Sequence, residues 1–165
     1  MNAKIDLNAI KSQTRLALPS DDGYLFRLGV ALYGFASLSS FVAEVTCHLD
    51  GSLDRSQVEA GTGGDILNSF RQGLKTAKRV YPKLKSVGQS AANMFEVLNT
   101  ERSDFVHSYP VTNRAGAQIL HRRQESKNKY FEVTNEFLDD FIARLHDASI
   151  KLYEIRSIVK PDLGG

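Results

Sequence analysis

Along most of this chain apolar residues return every three or four positions, the period of an α-helix with one buried face. Ile5, Leu7, Ile10 and Leu16 predict a weak N-terminal helix ending near Pro19. Ser20, Asp21 and Asp22 then offer N-cap side chains to a long helix from about Tyr24 to Leu49. Its apolar residues, among them Leu25, Phe26, Leu28, Leu32, Phe35, Leu38, Phe41, Val42 and Val45, lie all round the axis. That pattern predicts a helix running through the middle of the molecule. Asp50, Gly51 and Ser52 close it. The stretch GSLDRSQVEAGTGG reads as loop, with Asp65 capping the next helix, which turns Ile66, Leu67, Phe70, Leu74 and Ala77 inward. Pro82 breaks or kinks that element. A further helix from about Val87 or Ser90 reaches Tyr109, where Pro110 stops it.

The period changes between Val111 and Thr134. Asn113, Ala115 and Gly116 make a turn, and QILHRR and KYFEV alternate as the strands of a small hairpin across ESKN. Helical spacing resumes from about Asn135 to Val159, where Leu138, Phe141, Leu145, Ala148, Leu152 and Ile155 form a 3,4,3,4,3 seam. Pro161 ends this helix, and Asp162 to Gly165 read as a frayed tail. The expected fold class is all-α: an antiparallel bundle of four or five helices with a small β-hairpin before the last one. Residues 1–160 make a single helical domain and 161–165 a C-terminal tail.

Composition narrows the class further. With 165 residues, 42% of them hydrophobic and 24% charged, the chain has enough apolar material for a packed core. A lone cysteine, Cys47, leaves no disulfide framework and no Cys-rich zinc site, and suits a reducing compartment. The longest charge-free stretch, Leu28 to Ala43, holds sixteen residues, fewer than the roughly 20 that span a bilayer. It reads as a buried helix, not a membrane anchor. The opening residues MNAKIDLNAIKSQTRLALPS lack the apolar run of a signal peptide, so a soluble, cytoplasmic protein is expected.

Charge is unevenly placed. The net charge is only +2, yet no acidic residue lies between Asp65 and Glu96, while Arg71, Lys75, Lys78, Arg79, Lys83 and Lys85 do. The first four follow i, i+4, i+7, i+8 spacing and line one side of a helix. A second basic cluster, Arg122, Arg123, Lys127 and Lys129, is diluted only by Glu125, and acids gather at Glu132, Glu136, Asp139 and Asp140. This segregation gives a local positive field that the net charge does not reveal, and a solvated helix face would carry the same charges.

Common catalytic motifs are missing: HExxH, GxSxG and CxxC do not occur. Gly61, Gly63 and Gly64 are not a phosphate loop, because no GK[ST] follows. No metal site and no cofactor are indicated. Of the four histidines, His48, His121 and His146 read as surface or packing residues. His107 differs in its company, since Arg102, Ser103 and Asp104 precede it at a helix end that Pro110 opens to solvent.

The run ERSDFVHSYPVT resembles the signature of HEPN domains, helical bundles found in many prokaryotic toxin and phage-defence ribonucleases. Their motif is Arg, four to six residues, then His, near a helix end; here Arg102 and His107 enclose SDFV. The following S-Y-P-V-T, a Gly-containing turn, a short hairpin and a last amphipathic helix also resemble small bacterial HEPN-like proteins. The likeness covers roughly Ser90 to Val159 in motif and the rest in helical layout. Arg114 and His121 satisfy the same spacing, but in a turn and a strand. Five positions on a helix are about 140° apart, so the reach of Arg102, unwinding of the last turn or dimerisation must bring Arg102 and His107 together.

The resemblance implies a metal-independent endoribonuclease acting as a homodimer with the motif at the interface, with an antitoxin or sensor protein as a further partner. His107 would move the 2′-OH proton, Arg102 would hold the phosphate and Asp104 would orient the imidazole. Ser103, Tyr109 and the basic residues Arg71, Lys75, Lys78, Arg79, Arg122 and Arg123 would contact substrate, Tyr109 by stacking on a base. Such proteins often carry Asn, Asp or His directly after the Arg, where this chain has Ser103. That departure opens a second reading, a non-catalytic HEPN-like module that binds RNA, a nucleotide or a protein.

Overall fold

In a computed structural model of the chain, residues 6–13, 18–19, 21–124 and 129–163 are described. Among these residues six α-helices form: α1 (Leu7–Ser12), α2 (Asp22–Leu49), α3 (Arg55–Glu59), α4 (Gly63–Ala77), α5 (Leu84–Val106) and α6 (Asn135–Val159). Three strands, β1 (Tyr109–Thr112), β2 (Gln118–Gln124) and β3 (Lys129–Val133), lie between α5 and α6 as one antiparallel sheet in the order β1-β2-β3. The molecule is thus mostly helical, as its periodicity predicts.

The seam on α6 is buried throughout, from Leu138 to Ile155. It packs on α2 and α5, while α4 closes the other side of α2. Aromatic rings tie the layers together: Phe35 of α2 stacks on Phe95 of α5 at 5.7 Å, and Phe105 meets Phe141 of α6 edge-on at 5.2 Å. Burying such rings is the largest favourable contribution available to a domain of this size.

α2 departs from the central helix expected of it. Its inner side (Tyr24, Ala31, Phe35, Leu38, Val42, Val45 and Leu49) is buried, but Phe26 and Tyr33 are 73% and 81% exposed. An 18-residue window of α2 has a mean hydropathy of 1.5 with only 33% of it buried, and by length and composition the helix is able to cross a membrane. Its apolar residues lie all round, and its neighbours cover only part of the circumference.

Local chemistry also moves several boundaries. Within the expected loop, Asp54 accepts from the Gln57 amide at 3.2 Å and starts α3. Thr62, not Asp65, is the N-cap of α4. Its hydroxyl accepts from the Asp65 amide at 3.3 Å, while the Asp65 carboxylate accepts from the Thr62 amide at 2.9 Å, a capping box. Gly63 and Gly64 therefore open a helix. Pro82 sits in the turn before α5, which begins at Leu84, earlier than its apolar spacing suggests.

α5 stops at Val106, short of Tyr109, because a residue before proline is driven out of helical backbone. Tyr109 and Pro110 become extended, and Pro110 is tolerated because β1 is an edge strand that needs fewer N–H donors. The expected hairpin is thereby a three-stranded sheet. Gly116, at φ 82°, makes the turn into β2, a conformation glycine adopts without strain. Buried Tyr24 clips this sheet to α2: its hydroxyl donates to the Val133 carbonyl at 3.0 Å and accepts from the Leu120 amide at 2.9 Å. After α6, Pro161–Leu163 form a 3₁₀ turn where a frayed tail was expected. Ile5, Leu16, Ser20, the ESKN turn and the last two glycines lie outside the described residues.

Candidate functional site

Arg102 lies in the last turns of α5 and is half-buried. Its guanidinium sits over the Phe35 ring, 5.0 Å from the centroid, and Nη2 donates to Asn99 Oδ1 at 3.1 Å. Nε is shut off from solvent and has no hydrogen-bond partner among the described residues. Asn99 is itself fixed by close packing against α4, because a Cβ on Gly63 would land on its side-chain oxygen. Arg102 thereby lines a cleft of about 500 Å³ together with Leu32, Ser39, Glu59 and Val106.

Asp104, two positions on, points elsewhere. It is 7% exposed, and its carboxylate lies 3.5 Å from Arg122 Nε of β2. Arg122 Nη1 also donates to the Ser103 carbonyl at 3.2 Å. Ser108 donates its hydroxyl to the Asp104 carbonyl at 2.7 Å. The Ser103–Asp104 pair thus docks the end of α5 onto the sheet, and Arg122 is directed inward rather than toward solvent.

His107 is the C-cap of α5, with φ −98° and ψ 19°, and its side chain is exposed. A single chain does not gather the sequence-derived triad into one pocket: Arg102 faces α2 and α4, Asp104 faces β2, and His107 faces water.

The basic residues separate likewise. Arg71 makes a bidentate pair with Glu96 of α5 at 3.3 and 2.8 Å, and holds that carboxyl below its usual pKa. Lys75, Lys78 and Arg79 are exposed and make no ion pair among the described residues. α4 and α5 run antiparallel, Gly63 against Asn99 and Gly88 against Leu74. The lysines therefore lie toward the Leu84 end of α5, about 27 Å along the helix from Arg102. Arg123 is exposed on the sheet, close to the motif end, as is Tyr109 at 71%. The Lys127 position and the Lys129 side chain lie outside what is described.

Two features escape motif spacing. Asn99 and Phe35 orient Arg102, and only the i, i+3 relation of Asn99 hints at it. Arg114 and His121, the second Arg–His pair, line one groove together with Tyr130 and Glu132. Among the described residues no group of three or more His, Cys, Asp or Glu side chains is placed to hold a metal ion. Burial pushes the Cys47 thiol above its ordinary pKa, which makes it a poor nucleophile. In comparisons with known proteins the chain matches no family model, no curated protein and no solved structure.

Proposed function

We propose that this protein is a HEPN-like endoribonuclease of the toxin or phage-defence kind, working without a metal as a homodimer. The observation that carries this reading is the end of α5: an Arg held ready by Phe35 and Asn99 on one side, and an exposed His107 at the helix C-terminus five residues later. Support for a second copy comes from α2, whose exposed Leu32 and Ala36 border the cleft of Arg102. A two-fold pairing along α2 brings both Arg102 clefts to the interface.

In this mechanism His107 takes the proton of a ribose 2′-OH as that oxygen attacks the adjacent phosphorus. The bond to the 5′-oxygen breaks, the leaving oxygen takes a proton from water, and a 2′,3′-cyclic phosphate remains. Arg102 donates to the phosphate oxygens as charge builds on them. Asp104 serves as a positioning residue, holding the helix end on the sheet through Arg122. A protein antitoxin or sensor would act by covering the exposed end of α5.

The test is incubation of purified protein with mixed tRNA and mRNA in EDTA, wild type beside His107→Ala. Cleavage that persists in EDTA, leaves cyclic phosphate ends, spares DNA and disappears in the variant is the expected result. A second reading, a non-catalytic HEPN-like module that binds RNA, draws on the separation of Arg102 from His107 within one chain. Salt-sensitive RNA binding with no cleavage at any ionic strength would select it.

A further inference from the structure

The outer face of the sheet sets Tyr109 and Arg123, both expected to contact substrate, beside His121, Tyr130 and Glu132, to which the proposed cleavage gives no part. The pairings Tyr109↔His121↔Glu132 and Arg123↔Tyr130, together with strand alternation, put these five residues on one face. The opposite face turns Arg122 toward the Ser103 carbonyl and Phe131 against Phe137, whose rings lie 4.8 Å apart. On the outer face a groove of about 660 Å³ is lined by Asn113, Arg114, His121, Tyr130 and Glu132.

Three observations give that face its chemistry. Tyr109 and Tyr130 are 71% and 63% exposed, with His121 between them meeting Tyr130 edge-on at 5.7 Å. Arg114 lines the groove with Tyr130, and Arg123 stands opposite Tyr130 across the β2–β3 pairing. The one carboxylate among the residues lining the groove, Glu132, already accepts from Tyr130 Oη at 2.6 Å.

We propose that this face is a platform for single-stranded nucleic acid, with bases stacked on Tyr109 and Tyr130 and backbone phosphates held by Arg114 and Arg123. Exposed rings interleaved with guanidinium groups match the alternation of base and phosphate along an unpaired strand. A duplex does not fit, because its bases keep their faces stacked on one another. The platform begins two residues after His107, so a strand lying on it passes the end of α5. It rests on the proposed function only for the identity of the polymer, not for cleavage.

The experiment is fluorescence anisotropy with a labelled unstructured oligoribonucleotide, its DNA counterpart and the RNA duplex, at about 50 and 200 mM salt. The single strand should bind more tightly than the duplex. Tyr109→Ala and Tyr130→Ala should each weaken it about tenfold, and Tyr130→Phe should keep it, since stacking needs the ring alone. Arg114→Ala should lower the slope of log affinity against log salt by about one. The chain has no tryptophan, so Tyr130→Trp supplies a lone indole reporter whose emission a stacked base should quench. Equal affinity for the DNA counterpart also supports the platform, because stacking and phosphate contacts ignore the 2′-OH. Unchanged binding in both tyrosine-to-alanine variants, no quenching of the introduced indole, or no binding by the wild type would overturn it. Binding of this kind without cleavage ends the ribonuclease reading and leaves the platform. Cleavage with binding indifferent to the tyrosines does the reverse.

Discussion

Two positions along a helix are about 200° apart, so Arg102 and Asp104 meet different neighbours although they are nearly adjacent in sequence. Arg102 lies over Phe35 of α2 and is held by Asn99 one turn earlier on its own helix, and Asp104 faces Arg122 under the sheet. The same logic separates Arg122 from Arg123, because successive strand residues point to opposite faces. Arg122 is 17% exposed, opposite a carboxylate that is 10% exposed, whereas Arg123 stands on the outer face. Removing one member of a largely buried ion pair leaves the other poorly compensated. Arg122→Ala is therefore expected to lower stability by about 3 kcal/mol in urea unfolding. Arg123→Ala should change it by less than about 1 kcal/mol, as surface charges do. Equal and small losses for the two would show that Arg122 does not anchor α5 to the sheet.

At the scale of elements, the contact between sheet and bundle passes through Tyr24. Its hydroxyl stands between the Leu120 amide and the Val133 carbonyl, at the end of the β2–β3 pairing. Tyr24→Phe keeps the ring in the core and removes the bridge, leaving a buried donor and a buried acceptor to find other partners. The expected cost is about 2 kcal/mol, with faster amide exchange at Leu120 as the local signature. A full-stability variant with unchanged exchange would mean that another group already serves them. Nothing in the chain near Tyr24 announces this role, because its partners lie 96 and 109 positions away. Elements set by local period are legible in the sequence: α6 is bounded at Asn135 and Val159, and its whole seam is buried. β1 is not, because four residues beginning Tyr-Pro have no period of their own and become a strand only by pairing with β2. The residues at the end of α5 are legible as a motif, and their separation is what helix geometry foretells. The Asn99 support and the groove around His121 arise only when α4 meets α5 and three strands align.

At the scale of the whole molecule, the outer face of α2 is the feature that folding of one chain leaves unexplained. Phe26, Gly29, Tyr33 and Ala36 are all exposed along it. A cleft of about 500 Å³ containing Arg102 flanks this ridge on one side, and a groove of about 800 Å³ lined by Tyr33, Phe41 and Tyr153 flanks it on the other. A ridge beside grooves on the same surface is what a two-fold contact requires, since the same patch must serve both copies. Such a contact needs about 800 Å² from each partner, which one long helix with its flanking grooves can supply. In the proposed function such a contact would bring the Arg102 clefts of two copies together, since Arg102 and His107 are apart within one chain. Sedimentation at micromolar concentration is expected to show a dimer for the wild type and a monomer for Tyr33→Glu. The helical circular dichroism of the variant should be unchanged, because the ring is 81% exposed within the chain. RNA cleavage should fall with the dimer. A variant that is monomeric and still cleaves would show that Arg102 and His107 meet within one chain, by unwinding of the last turn of α5. A wild type that remains monomeric would leave the α2 face to a different protein.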